Sequence, residues 1–273
     1  MLRTSDPDLL NVVETYLDAT PRSAATAEEV GNFTLFRPLG QWRYYARPRR
    51  GLDAAFTVSD VDALRVRQRE LELPENIEWM LETTPSLAAA AAESGLNIVV
   101  YPLMVLEAAT DVTVTAPDGS EIRPLSADDP DFGLAHAVAS VGFRASGTEI
   151  GTEGADERDE RAAEASPALV EFQRSRARDG WSVSYAAFDD SGPVAVGTHQ
   201  PVGDVTEIVG VATLPAARRR GLGAAVTAAL VADAQAHGVT IVFLSAGSDD
   251  VARIYERVGF GRIGSVGSAE PEG

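Results

Sequence analysis

Apolar residues recur along the chain with two periods, which separate helical segments from extended ones. Spacing near 3.6 residues, with capping residues, Pro or Gly at the ends, predicts helices at 6–19, 58–71, 77–93, 128–141, 167–178, 221–236 and 249–257. Alternating, aromatic-rich or continuously apolar runs predict strands at 32–38, 42–46, 96–106, 112–116, 121–125, 182–188, 194–199, 205–213 and 240–244. The stretch 151–166 is charged and poor in large apolar residues, so it is expected to be a mobile loop.

Local signals refine this pattern. Ser59 is the candidate N-cap of the helix at 58–71. Residues 117–120 (Pro-Asp-Gly-Ser) are typical of a turn, so the strands at 112–116 and 121–125 are predicted to form a hairpin. The continuously apolar run 96–106 indicates a strand that is covered on both faces.

The pattern begins afresh after about residue 110, which divides the chain into two predicted domains, 1–110 and 111–273. A length of 273 residues is compatible with two domains of ordinary size. Apolar residues make up 45% and charged residues 23%, the balance of a folded soluble protein. No run approaches the roughly 20 apolar residues that cross a bilayer, and the polar N-terminus does not resemble a signal peptide, so we expect a cytoplasmic protein.

The net charge and the cysteine content reduce the range of possible functions. A net charge of −18 repels nucleic-acid phosphates and anionic membranes, so neither is an expected partner. It favours a cationic substrate such as an amine, although solubility or adaptation to a salty cytoplasm explains an acidic surface more simply. The absence of cysteine excludes disulfides, thiolate catalysis and cysteine-bound metals. His136, His199 and His237 do not have metal-ligand spacing, so no metal is expected.

The most informative stretch connects a predicted strand to a predicted helix and reads Arg218-Arg219-Arg220-Gly221-Leu222-Gly223-Ala224. Backbone N–H groups at a helix N-terminus are free and carry partial positive charge, which suits phosphate oxygens. Gly221 and Gly223 let a diphosphate approach the backbone, and the arginines add charge. A pyrophosphate site is therefore predicted, but the cofactor is not specified. A Walker loop needs a lysine after its glycines and a dinucleotide fingerprint needs a third glycine, so both fit poorly.

Two motifs in this region carry a family resemblance. Arg218-x-x-Gly221-x-Gly223 resembles the acyl-CoA-binding loop of the GCN5-related N-acetyltransferases, the GNAT family. The run RIYERVGF from Arg253 to Phe260 resembles the family's closing motif, a helix with a tyrosine followed by Gly-Phe. The motifs stand in the family's order, separated by one helix and one strand. The resemblance implies an α/β (α+β) fold for 111–273, with a central mixed, mostly antiparallel sheet flanked by helices.

The resemblance also implies a binding site for acetyl-CoA. Three residues would pair through backbone groups with the pantetheine arm, as an added strand pairs with a sheet edge: Val211, Ala212 and Thr213. The backbone N–H groups from Arg219 to Ala224 would hold the pyrophosphate. Gly210 lies in mid-strand, where glycine often marks a bulge, and in this family the strand splays there from its neighbour. Ser248 takes the position of an asparagine that contacts the pantetheine in many members.

Two residues are candidates for catalysis, because the ammonium must lose a proton and the departing thiolate gains one. The resemblance places Tyr255 beside the thioester sulfur as the general acid; the alternative is a core tyrosine whose hydroxyl is satisfied by a backbone group. Glu207 matches the glutamate that is the general base in some members; the alternatives are an exposed strand glutamate or a substrate contact. His199 is a lesser candidate for the base.

The segment 74–106 resembles the degenerate first domain of two-domain actinobacterial acetyltransferases. We expect this GNAT-like domain to wall the substrate cleft or to make a homodimer contact; a purely structural appendage is the alternative. The resulting hypothesis is an acyltransferase that moves an acetyl group from acetyl-CoA to a primary amine of a small molecule. That amine would lie between Glu207, the region 142–180 and the N-terminal domain. The alternatives are acetylation of a protein N-terminus or lysine, and a non-catalytic acyl-CoA sensor.

Overall fold

The structure, a computed structural model, describes residues 6–40, 42–52, 54–106, 110, 112–117, 119–145 and 147–272. The chain divides by its contacts into two units. Unit one comprises 1–104, 245–247 and 262–273, and unit two comprises 105–244 and 248–261. These bounds differ from the predicted domains 1–110 and 111–273, which stay a prediction; residues 107–109 lie outside the described residues.

The described residues form eight α-helices and eleven strands. The helices are α1 Pro7–Ala19, α2 Val58–Glu70, α3 Ser86–Glu93, α4 Phe132–Gly142, α5 Ala155–Glu164, α6 Pro167–Arg178, α7 Leu222–Ala236 and α8 Asp249–Glu256. The strands are β1 Ala25–Val30, β2 Phe33–Pro38, β3 Arg47–Pro48, β4 Ile77–Met80, β5 Leu96–Leu106, β6 Glu121–Leu125, β7 Val183–Asp189, β8 Gly192–Val202, β9 Val205–Thr213, β10 Ile241–Ser245 and β11 Phe260–Pro271. None of the described helices is long and apolar enough to cross a membrane.

Unit one is built on two groups of strands. Strands β1, β2 and β3 form an antiparallel sheet in that order. Strand β11 lies between β4 and β5 and pairs antiparallel with β4, Val266 opposite Met80. Helices α2 and α3 contribute Leu64 and Leu87 to a core that also contains Trp79, with all three side chains at most 2% exposed. This burial stabilises the unit by roughly 1.5–3 kcal/mol for each fully buried large side chain.

Unit two is built on five strands in the order β6-β7-β8-β9-β10. The first four pair antiparallel, and β10 pairs parallel with β9. Helices α4 and α7 pack against these strands. The predicted mixed, mostly antiparallel sheet flanked by helices is therefore confirmed.

Most of the predicted elements of unit two are confirmed to within a few residues. The clearest cases are α6, α7, α8 and the strands β7, β8, β9 and β10. In unit one, α1 and β5 also match, and Asp6 caps α1 by accepting from the backbone N–H groups of Asp8 and Leu9. The prediction that β5 is covered on both faces holds only for its second half, since Val99 and Val100 are more than 40% exposed.

Two segments were assigned the wrong type of element. The predicted helix 77–93 is the strand β4, a turn containing Pro85, and the shorter helix α3. The predicted loop 151–166 contains α5. This helix forms because the carboxylate of Glu157 accepts from Gly154 N–H at 2.6 Å, and because buried Arg158 donates to the carbonyls of Ser191 and Pro193 at 2.9 and 2.8 Å.

Four finer predictions are also corrected. Residues 42–46 form an isolated bridge at Ala46 rather than a strand. The predicted strand 112–116 is absent from this described segment, so β6 pairs with β7 instead of forming a hairpin; Asp118 in the predicted turn lies outside the described residues. Thr57, not Ser59, is the N-cap of α2, in a capping box with Asp60. The sequence analysis did not predict strands β1, β3 and β11.

Candidate active site

Strands β9 and β10 diverge in the middle of unit two. Their pairing covers only Ile241 with Val205 to Phe243 with Glu207, whereas β9 continues to Thr213 along β8. In the described part of the sheet, the later half of β9 therefore has no strand partner on the β10 side. An unpaired strand edge can accept an extended ligand through main-chain hydrogen bonds.

A bulge in β9 lies beside this fork. Val196 pairs with Ala212 and Thr198 pairs with Val209, so Gly210 and Val211 together face Gly197. Gly210 has φ +65°, a left-handed conformation that favours glycine. The predicted bulge is confirmed, and it bends β9 where β10 leaves it.

The loop after β9 delivers the chain to the start of α7. Gly221 stands at the N-cap position with φ +83° and provides no side-chain cap. In the described part of the chain, none of the six N–H groups from Arg219 to Ala224 donates to a protein acceptor. These N–H groups and the positive end of the helix dipole suit a ligand rich in phosphate oxygens. A Cβ at Gly223 would lie 3.6 Å from Thr213 Oγ1 and 4.0 Å from Val211 Cγ1, so the start of α7 adjoins the end of β9.

The three arginine side chains of this loop bind protein groups. Arg218 donates to main-chain carbonyls in 142–149. Arg219, itself at φ +65°, donates to the Thr148 carbonyl at 3.1 Å and to the Glu149 carboxylate. Arg220 donates to the Asp189 carboxylate at 2.7 Å. Contact between these side chains and phosphate stays a prediction, because in this structure each guanidinium helps to hold the loop.

Asp189 is the last residue of β7, just before the turn to β8. Burial alone would raise the pKa of its carboxyl, but hydrogen bonds from Arg220 and Ser191 hold that pKa below its usual value. The carboxylate is therefore charged at neutral pH and binds the Arg220 guanidinium.

Tyr255 lies in α8 with its ring edge-on to Phe260, at 6.1 Å between centroids. Only 8% of its surface is exposed, and burial raises the pKa of its hydroxyl to about 12. No hydrogen-bond partner of this hydroxyl is found among the described residues, so the alternative of a tyrosine satisfied by a backbone group is not observed there. The group is protonated at neutral pH and free to donate.

Glu207 lies at the last position where β9 pairs with β10, opposite Phe243 and at the mouth of the fork. It is half-buried. The preceding residue, Thr206, is fully buried, and its Oγ1 contacts His199 of β8, which in turn contacts Asp233 of α7. Since side chains alternate along a strand, Glu207 projects from the opposite face. Its catalytic role stays a prediction.

His199 is not a candidate base. It is 2% exposed, and its Nδ1 and Nε2 lie 3.1 Å from Thr206 Oγ1 and 3.0 Å from Asp233 Oδ2. Burial lowers the pKa of the imidazole, although Asp233 opposes that shift. With both ring nitrogens engaged inside the unit, His199 is a buried structural residue, and the earlier assignment is corrected.

Ser248 is the N-cap of α8, where its hydroxyl accepts from Val251 N–H at 3.2 Å. A pantetheine contact at this position stays a prediction. His237 is the C-cap of α7, and its Nδ1 lies 2.8 Å from the carbonyl oxygen of Asp233. No group of three or more His, Asp or Glu residues that could hold a metal ion occurs in the described part of the chain.

Comparisons with family models and with solved structures found similar proteins. Residues 152–260 match the model of the acetyltransferase (GNAT) family. A GCN5-related N-acetyltransferase from Kribbella flavida is 22% identical, with 97% of this chain and 96% of that one covered and a TM-score of 0.68. A tandem GNAT protein from the clavulanic acid biosynthesis pathway is 16% identical over 88% and 79% of the two chains, with a TM-score of 0.56. A GCN5-related N-acetyltransferase-like protein from Streptococcus suis is 11% identical over 96% and 98%, with a TM-score of 0.55. The search of curated proteins gave no match.

The sheet, fork and glycine-led helix define the class of protein, an α/β protein with the fold of the GCN5-related N-acetyltransferases. The coverage of nearly the whole chain by such structures is consistent with two GNAT-like domains. Within the chain, residues 152–260 are similar to GNAT acetyltransferase domains.

Proposed function

We propose that the protein transfers an acetyl group from acetyl-CoA to a primary amine of a small molecule. The observation that carries the proposal is the set of six open N–H groups at the start of α7, directly beside the unpaired edge of β9. A diphosphate joined to an extended amide-containing arm matches that pair of features in charge and shape.

The residues present fit acetyl-CoA. The N–H groups from Arg219 to Ala224 would hold the pyrophosphate, and the edge formed by Val211 to Thr213 would pair with the pantetheine. When bound, acetyl-CoA supplies a thioester carbonyl for attack by an amine. The protein has to place the amine, remove one proton from it and return one proton to the departing sulfur.

Tyr255 is our candidate for the general acid that donates a proton to the departing sulfur. Its hydroxyl is neutral at physiological pH because burial raises its pKa to about 12. The lack of a competing partner among the described residues leaves its proton available for a bound sulfur.

Glu207 is our candidate for the general base that accepts a proton from the amine. Its half-buried position at the mouth of the fork suits a carboxylate that meets a cationic substrate. The acidic surface, with a net charge of −18, would also attract a protonated amine.

Thiol release from acetyl-CoA tests the proposal when it is measured across alkylamines, polyamines, amino sugars, amino acids, arylamines and peptides with free N-termini or lysines. We expect turnover with at least one small amine, loss of turnover in Gly221→Trp and a strong reduction in Tyr255→Phe. If only the peptides are acetylated, the acceptor is a protein and not a small molecule. Tight binding of acetyl-CoA without turnover on any amine would favour a sensor, and failure to bind it would overturn the proposal.

A further inference from the structure

Arg218 differs from its neighbours in the groups that it binds. Its guanidinium donates to three main-chain carbonyls, those of Gly142 at 2.9 Å, Ala145 at 2.8 Å and Glu149 at 3.1 Å. Arg220 binds a carboxylate instead. Only the planar fork of an arginine offers five donors in fixed directions, so these bonds depend on its shape as well as its charge.

The first of these carbonyls belongs to the C-terminal end of α4. The last carbonyls of a helix have no intrahelical partner and carry partial negative charge. The last turn of α4 contains no basic residue of its own. Arg218 therefore supplies, from 76 residues further along the chain, the cation that this helix end lacks.

The end of α4 also lies directly against the end of β9. A Cβ built on Gly142 would stand 3.0 Å from Ala212 Cβ and 3.1 Å from the Thr213 carbonyl oxygen. Ala212 and Thr213 are two of the residues predicted to pair with the pantetheine. Displacement of α4 at this point would therefore disturb the proposed binding edge.

The rest of the segment 142–154, in which Ser146 lies outside the described residues, is joined to the same loop. Gly151 N–H donates to the Pro215 carbonyl at 3.1 Å, and Ala216 N–H donates to the Glu153 carbonyl at 3.0 Å. Arg219 adds its bond to the Thr148 carbonyl. The segment and the loop thus form one hydrogen-bonded body, with Arg218 providing three of the links.

We propose that Arg218 is a positioning residue that couples the order of segment 142–154 to ligand binding at the start of α7. It holds the loop so that the N–H groups from Arg219 to Ala224 stay open toward the ligand. Coupling is reciprocal, so a ligand at α7 also stabilises the segment. This inference rests on the proposed function for the identity of the ligand, coenzyme A, but the link itself exists without ligand.

Hydrogen–deuterium exchange of peptides covering 147–154 tests the link on the whole chain without ligand. In Arg218→Lys we expect exchange about tenfold faster than in the parent, because an ammonium keeps the charge but cannot reach all three carbonyls. Arg174→Lys is the matched control, since Arg174 also donates to main-chain carbonyls, those of Ala127 and Asp129, at a different place. It should leave exchange in 147–154 unchanged.

Calorimetric binding of coenzyme A tests the coupling. We expect Arg218→Lys to weaken binding about tenfold although the charge is kept, and Arg174→Lys to bind as the parent does. Coenzyme A should slow exchange in 147–154 of the parent protein and have little effect there in Arg218→Lys. If Arg218→Lys exchanges and binds like the parent while Arg218→Met loses affinity, Arg218 is a direct phosphate ligand and the proposal is wrong.

The failure of the proposed function and the failure of the Arg218 link give different results in these experiments. A parent protein that does not bind coenzyme A would contradict the proposed function, while the exchange comparison without ligand would still decide the link. If Arg218→Lys does not fold by circular dichroism, Arg218→Gln tests the same link, because a single amide group cannot bond to all three carbonyls. It should also speed exchange in 147–154 and weaken coenzyme A binding, and unchanged exchange and binding in folded Arg218→Gln would overturn the proposal.

Discussion

Helices α7 and α8 lie in the same unit, yet their first turns are built in opposite ways. α8 begins with Ser248 capping the N–H of Val251 and with Asp249 and Asp250 in its first turn. α7 begins on Gly221 with neither a side-chain cap nor an acidic residue in its first turn. A cap stabilises a helix by about 1 kcal/mol, and an acid near the N-terminus adds a few tenths more.

The difference shows which helix start is left available for a ligand. α8 caps its own N-terminus with Ser248, and its proposed contribution to the site is the side chain of Tyr255 further along. α7 leaves its N–H groups open, and the loop before it is held by arginine side chains that bind main-chain carbonyls and a carboxylate. An open helix start that is fixed by neighbours is the feature to expect of an anion site.

The largest expected effect is a loss of catalytic rate without a loss of acetyl-CoA binding, in a variant of Tyr255. Tyr255→Phe removes the proton donor on α8 and should lower kcat by about 10²- to 10⁴-fold, with the KM for acetyl-CoA little changed. Stability should change little, because the hydroxyl has no hydrogen-bond partner among the described residues. Steady-state kinetics and thermal unfolding measure both.

Tyr185→Phe is the matched control for that prediction. Burial also raises the pKa of Tyr185 to about 12, but its hydroxyl donates to Asp233 at 3.1 Å. It should lose about 1 kcal/mol of unfolding free energy and keep its kcat. If both variants keep full activity, Tyr255 is not the acid.

The second effect concerns the open start of α7. Gly221→Trp places a side chain where the pyrophosphate is expected and forces an L-residue to φ +83°, so coenzyme A affinity should fall about 100-fold or more. Gly238→Ala is the control at the other end of the same helix, also at φ +83° and with open space around it. It should lose about 1 kcal/mol of stability and bind as before, as measured by calorimetry. Equal binding losses in both variants would assign the effect to α7 stability alone.

A smaller effect comes from making α7 resemble α8. Gly223→Asp puts an acid in the first turn of α7, which should stabilise the helix by a few tenths of a kcal/mol and weaken coenzyme A binding about tenfold. Ser248→Ala removes the cap of α8 and should cost about 1 kcal/mol of unfolding free energy. Urea unfolding and calorimetry at two salt concentrations measure these changes. Tighter binding in Gly223→Asp would contradict an anion site.

The last prediction concerns a buried group without a hydrogen-bond partner that lies outside the proposed site. His136 Nε2 is buried without a partner in the described part of the chain, and burial, aided by Arg174, lowers the imidazole pKa to about 4. The unfolded imidazole titrates near 6.5, so this group's contribution to stability is present above pH 6.5 and is lost as the pH falls toward 4. His136→Phe should therefore lose less stability between pH 7 and pH 4.5 than the parent, as measured by urea unfolding. His237→Asn, at a side chain 73% exposed, should lose as much as the parent.

The sequence was sufficient to predict the fold where local pattern and tertiary structure agree. The strand β9, the glycines after it and the apolar helix α7 could be predicted because each depends on neighbours in sequence. The GNAT assignment followed from two motifs of this kind, and the family match at 152–260 confirms it. The same patterns located Tyr255 on a helix and Glu207 on a strand, as the structure has them, while their catalytic roles stay predictions.

The failures have non-local causes. The segment Ile77–Met80 has no strand signal strong enough to compete with the helical pattern that follows it, and its strand partner is β11. α5 depends on Arg158 reaching the turn between β7 and β8. The direction of the Arg218 side chain could not be read from the motif, because its three acceptors are backbone carbonyls that every residue possesses.

The pairing of β4 with β11 joins residues that are synthesised far apart in time. Met80 pairs with Val266, 186 residues later. At a translation rate of about 5–20 residues per second, β4 waits roughly 10–40 seconds for this partner. During that interval the nascent unit one carries an open strand edge, which is a template for aggregation. Proteolytic removal of 262–272 would expose that edge again. It would damage unit one, which contains the N-terminal residues, although the residues directly before the cut belong to unit two.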